Sequence, residues 1–178
     1  LGNRKSASAV NTISGFTTDS DNAVSSAAIA ALGQIGGDEA TAVIAKARSG
    51  ENKAVADDAY IACATAYLAD GKKDKAISIL NELNAASESP RVRAAAITAL
   101  AKARPEQTQE ELIALLKGDD EYLRAIAVGL LRNSNRKDAA TAVAQAFDSL
   151  QPGAQVLALG ILEHRGDKAG LGAVTTAA

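Results

Sequence analysis

At 178 residues, 41 of them Ala and none of them Trp or Met, the chain is long enough for one domain with a real interior or a short repeat array, and must build its core from Ala, Leu, Ile and Val at close helix spacing. Its 19 basic and 21 acidic residues are spread along the chain, so the basic stripe that neutralises phosphates in a nucleic-acid interface is missing. Cys63 is the only cysteine, which excludes an intrachain disulfide, and no apolar run approaches the ~20 residues of a membrane-spanning helix.

In chain order, a first helix is expected over about 4–16, closed by the polar stretch Asp19 to Asn22. Five segments then align without gaps, beginning at Val24, Val55, Val92, Leu123 and Ala154, with first residues 31, 37, 31 and 31 apart. Their fifth position is always Ala (Ala28, Ala59, Ala96, Ala127, Ala158), which marks a close helix crossing. Their ninth is Leu32, Cys63, Leu100, Leu131 and Leu162. Spacings of four and seven or eight put these residues on one helical stripe. Second helices are expected between the segments, over roughly 38–48, 73–86, 107–117, 137–149 and 167–177. Gly36-Gly37-Asp38, Gly50 to Asn52, Ser87 to Pro90, Pro105, Gly118-Asp119-Asp120 and Gln151-Pro152-Gly153 punctuate them. No segment alternates with period two, so no strand is expected. A two-helix unit of this length cannot bury its apolar face alone and must stack on its neighbours.

The run Asp119-Asp120-x-x-Leu123-Arg124, the run Val92-Arg93-x-Ala95-Ala96-x-x-Ala99-Leu100 and the ending Ala30-Ala31-Leu32-Gly33-x-Ile35-Gly36 resemble HEAT repeats, closest to the short bacterial variety also found in phycobilin lyases. The similarity covers essentially the whole chain and specifies fold far better than function. It implies an all-α fold: a right-handed α-α superhelix, or α-solenoid, of about five helix pairs plus a terminal helix, forming one HEAT-like domain over 1–178 as a piece of a larger protein. The five segments would line its concave side. One unit departs from the pattern: Ala62, Ala66-Tyr67, Gly71 and Lys75-Ala76 look more like a tetratricopeptide hairpin, which accounts for the 37-residue spacing. Longer hairpins of this kind resemble segments of large, often exported bacterial proteins, so the resemblance leans towards an exported or periplasmic location.

Candidate chemistry is thin. Asp57-Asp58 is a carboxylate pair, with Asp58 expected to be partly buried, but both lie near a helix start where the dipole favours negative charge. Asp19-Ser20-Asp21-Asn22 lacks the Gly and distal Glu of a calcium loop and reads as a helix cap, as do Asp38, Asp119, Asp120 and Asp138. Cys63 replaces a repeat Leu and reads as a small core residue. His164, the only histidine, makes no zinc site alone. The joints Gly36-Gly37, Gly118 and Gly166 follow no strand and read as helix C-caps rather than a phosphate loop. No catalytic residue, cofactor site or metal site is expected, and no enzymatic activity.

What remains is a surface. Projection of the segment helices places their third, seventh and tenth positions towards solvent, as a wall of mostly small residues beside a polar rim. The residues expected to meet a partner are Asp57, Ile61, Arg93, Thr98, Lys102, Arg124, Arg132 and Glu163. Arg93 and Arg124 share one repeat position, and an Asp/Arg ladder that bonds adjacent repeats and caps turns is the competing account of them. Val10, Ile13 and Phe16 at one end, and the nearly uncharged helix after Asp167 at the other, imply abutting repeats, an adjoining domain or a second copy, end-to-end self-association included. The expected function is a non-enzymatic protein-protein interaction scaffold or domain-positioning module, with a protein or a domain of the same polypeptide as partner and neither nucleic acid nor membrane insertion involved. The alternative is an accessory part of an enzyme, lyase-like or carbohydrate-active.

Overall fold

The structure, a computed structural model, describes residues 7–87 and 89–166. Within them every regular element is helical, and no strand occurs. The helix expected over 167–177 lies outside the described residues.

Two compact units divide the chain, Leu1–Ala99 and Leu100–Ala178. The first holds α1 (Val10–Ser14), α2 (Asn22–Ile35), α3 (Gly37–Ala47), α4 (Lys53–Ala69), α5 (Lys73–Ala86) and most of α6 (Pro90–Ala103). Here α2 packs on α1, α3 and α4, and α4 packs on α3 and α5. The second unit holds α7 (Pro105–Lys117), α8 (Glu121–Arg132), α9 (Ala139–Ala146), a 3-10 turn (Phe147–Ser149) and α10 (Pro152–Arg165). Here α8 packs on α7 and α10, and α9 on α7 and α10. Within each unit these contacts join elements one and two apart in sequence, the contact pattern of stacked helical hairpins.

The five aligned segments are α2, α4, α6, α8 and α10, hereafter the motif helices. Their fifth-position Ala is at most 7 % exposed in every one, and Leu32, Cys63, Leu100, Leu131 and Leu162 are all buried. The small residue does what its constancy suggests. A Cβ placed on Gly33 of α2 would lie 2.8 Å from the Cβ and 2.9 Å from the Cα of Ala59 in α4, so these two helices meet backbone to backbone. Burial of Cys63 raises its thiol pKa, as suits a core residue.

Helix ends follow local chemistry. Asp21 accepts from the Ala23 N–H at 2.8 Å and caps α2, and Asp120 accepts from the Leu123 N–H at 3.0 Å and caps α8. Asp38 and Asp138 make no such bond, because side chains of other residues claim them: Lys75 and Tyr67 hold Asp38, and Arg136 holds Asp138. Gly166, at φ 63°, ends α10 in the left-handed conformation that favours glycine. Gly118, at φ −72°, does not adopt that conformation after α7.

Two expected spans are only partly α-helical. Of the helix expected over about 4–16, residues 4–6 lie outside the described residues and the rest is a 3-10 turn (Ala7–Ala9) leading into α1, while the pattern over 137–149 becomes α9 plus a 3-10 turn that ends at the extended Leu150 ahead of Pro152. Of the apolar residues expected to be presented at the start, Val10 and Ile13 are buried against α2 and α3, leaving Phe16 48 % exposed.

Candidate partner-binding face

Four of the eight residues singled out from sequence lie in each unit, and no hydrogen bond or ion pair joins any two of them. In the first unit, Asp57 is 2 % exposed. Its carboxylate is held by Arg48 Nε at 2.7 Å and Lys53 Nζ at 2.7 Å. Arg48 also pairs with Glu82 of α5, and its guanidinium stacks over the Tyr60 ring, 4.9 Å from the centroid. Tyr60 donates to Glu82 at 3.1 Å. Burial, then the Glu82 carboxylate, pushes the Tyr60 hydroxyl up to about 12. This network ties the end of α3 to α4 and α5. It is a clamp between helices, with its central carboxylate withdrawn from solvent.

The pair Asp57-Asp58 is thus turned the other way round from the sequence expectation. Asp58, expected to be partly buried, has a side chain 52 % exposed and pairs with Arg91 at 2.7 Å. Ile61, Arg93 and Thr98 are half-buried, and the Thr98 hydroxyl donates to the Ala94 carbonyl of its own helix. Arg93 Nε has no hydrogen-bond partner among the described residues.

In the second unit, Arg124 Nε donates to the Gly118 carbonyl at 3.2 Å, closing the turn between α7 and α8. Lys102, Arg132 and Glu163 are exposed. Arg132 Nη2 lies 3.2 Å from His164 Nδ1, which joins the C-terminal ends of α8 and α10. Arg165 donates to the carbonyls of Leu131, Ser134 and Arg136, fixing α10 against the loop after α8. An open groove of about 710 Å³ lies nearby, lined by Lys102, Pro105, Gln109, Leu112, Asn133 and Arg136 among others.

The outward side of α8 and α10 carries Val156 and Ala125, at the third position that projection turned towards solvent, together with residues it left out. Tyr122 is 50 % exposed, Val156 68 % and Leu157 38 %, and exposed Ala125 and half-buried Ile126 lie beside them. Counted from each segment's first residue these occupy the position before it, the third and the fourth; Gly129 and Gly160 follow at the seventh. Spacings of three, four and seven make one stripe, opposite the buried fifth and ninth positions. The same positions in the first unit carry Ala23, Ala27 and Ala30 on α2 and Ala54 and Asp58 on α4, all exposed, besides half-buried Ser26 and Ile61 and the buried Asp57. The stripe exposes large apolar side chains in the second unit and small or charged ones on α2 and α4 of the first. A single large residue such as Val156 among small ones was the available signal.

Among the described residues no group of three or more His, Cys, Asp or Glu is placed to hold a metal, and no helix is long and apolar enough to cross a membrane.

The model of HEAT repeats matches residues 1–64 and 77–160. The unmatched stretch contains the turn of the α4–α5 hairpin, where α4 runs to 17 residues against 12 to 14 in the other motif helices. No curated protein matches the chain. Among solved structures, a chain of the complex of CpcE and CpcF of phycocyanin lyase from a Nostoc species is similar at 20 % identity and a TM-score of 0.38, over 97 % of this chain and 82 % of that one. The repeated buried Ala, the hairpin packing and the family match over most of the sequence lead to one conclusion: this chain belongs to the HEAT-repeat family.

Proposed function

We propose that the chain is a non-enzymatic scaffold that binds protein through the outward face of α8 and α10. The observation that carries this reading is the stripe of Tyr122, Val156 and Leu157, exposed on two helices that pack side by side. Apolar residues gathered on one rigid face, with polar residues at its edge, have the composition of a partner surface. Lys102, Arg132 and Glu163 supply the polar edge. The repeat fold supports the reading in a general way, since stacked hairpins offer an extended surface rather than an enclosed pocket. The buried Asp57 belongs to the internal clamp on this view, Ile61, Arg93 and Thr98 belong to the first unit, and Arg124 closes the turn ahead of α8.

A photo-activated cross-linker installed in place of Val156, in the native host, tests the proposal. Covalent adducts to protein are expected in clear excess over those from the same group at Ala30, which is exposed on α2. Equal yields at the two positions, or none at Val156, would overturn it.

A further inference from the structure

The charges around this face determine what fits it. Glu121 opens α8 and Arg132 closes it. Both are exposed, and neither has an ion-pair partner among the described residues. Eleven residues separate them, about three turns and ~16 Å, so they stand on the same flank of the helix at opposite ends of the apolar stripe. Asp119 and Asp120 add negative charge at the first end, and His164, against Arg132, adds a polar group at the second. Along α8 the face is acidic at one end, apolar in the middle and basic at the other, and Glu163 near the end of α10 sets a carboxylate at the same end as Arg132.

A surface with that layout complements itself. If a second copy lies over the first with α8 antiparallel to α8, about a two-fold axis crossing the helices near Ile126, the stripe meets the stripe. Glu121 of each copy then faces Arg132 of the other. The two residues must share a flank for this, because a two-fold axis in the interface plane and across the helix reverses direction along the helix and preserves the side. Isologous interfaces require that reciprocity, each residue meeting its complement twice. A partner of uniform charge would leave one end of the face opposed by like charge.

The geometry points to a symmetric dimer of this chain through the α8–α10 face, with reciprocal Glu121–Arg132 pairs at the margins of a Tyr122, Val156 and Leu157 core. The inference rests on the reading of this face as a protein-binding surface and names its occupant as a second copy.

Sedimentation equilibrium of the full chain over a range of concentrations is the test. A reversible monomer–dimer equilibrium is expected. Val156→Glu, at a side chain already in solvent, should weaken association about thirty-fold or more by burying a charge in the interface core. Glu121→Arg and Arg132→Glu alone should each weaken it several-fold through like-charge contacts, and the two together in one chain should restore it. Circular dichroism of each variant guards against loss of fold. A wild-type chain monomeric at every concentration overturns the dimer, as does a dimer insensitive to Val156→Glu or a double variant no better than the singles. If the chain is monomeric while the cross-linker at 156 still captures protein, self-pairing falls and the scaffold reading stands.

Discussion

The two units use the same repeat positions in opposite ways. In the first, the second motif helix turns its third residue, Asp57, inward, where it meets Arg48 and Lys53, and the outward stripe is left to Ala and to the Asp58–Arg91 pair. In the second, that position holds Ala125 and Val156, both exposed. A repeat scaffold fixes where a residue sits and leaves open whether it serves the stack or the surface. The first unit has a buried charge network joining three helices, and the second has apolar side chains facing out.

Removing the clamp gives the largest expected effect. Asp57→Ala leaves the Arg48 guanidinium, with a side chain only 9 % exposed, short of its buried partner, and should destabilise the first unit by about 3 kcal/mol. Asp58→Ala, one residue away, breaks only an exposed pair and should cost no more than about 0.5 kcal/mol. Urea unfolding of both variants measures the contrast. Near-equal losses would mean that the network is not what holds α3, α4 and α5 together.

Glycine in the motif helices gives the next contrast, this time with a change of sign. At Gly33 an added methyl meets the Ala59 backbone, which cannot yield as a flexible side chain would, so Gly33→Ala should cost about 1–3 kcal/mol of overpacking. Set against the ~1 kcal/mol of helix propensity gained, the net loss should be up to about 2 kcal/mol. At Gly129 a Cβ meets nothing within 4 Å, and Gly129→Ala should instead stabilise by about 0.5–1 kcal/mol. Thermal unfolding in dilute solution separates the two, and a stabilising Gly33→Ala would break the inferred close approach of α2 and α4.

These contrasts also show what the sequence could reveal. The hairpin array, the buried Ala at every fifth position and the apolar ninth position were legible because they repeat, and repetition reflects a packing constraint common to all units. The longer hairpin was legible too, from its 37-residue spacing, and α4 carries the extra length. The inward turn of Asp57 was hidden because its partner Arg48 comes from the end of another helix, and Glu82, which shares that arginine, from a third. Periodicity within one helix holds no record of such contacts. The projection turned the third and seventh positions outward, and Ala125, Gly129 and Val156 are exposed, but averaging over five segments read the face as a wall of small residues and left out Tyr122 and Leu157.

The smallest effect concerns Tyr60, which reports the clamp without breaking it. Tyr60→Phe keeps the ring beneath Arg48 and removes only the donation to Glu82, so at neutral pH the loss should be about 0.5–1 kcal/mol. Alkali distinguishes the wild type from this variant. The hydroxyl is raised from 10.0 to about 12 in the folded chain, so folding favours its protonated form. That contribution is complete below about pH 10 and is lost as the pH climbs towards 12, where the unfolded chain ionises first. Wild-type stability should therefore fall more steeply than that of Tyr60→Phe across this interval, and the gap between the two should narrow. Burial and the Asp38 carboxylate raise Tyr67 as well, so absorbance titration of phenolate should show Tyr60→Phe losing one late-ionising tyrosine while Tyr67 still titrates late. If the late-ionising amplitude is undiminished in Tyr60→Phe, the residue is not held between Arg48 and Glu82, and the clamp that distinguishes the first unit from the second loses its aromatic member.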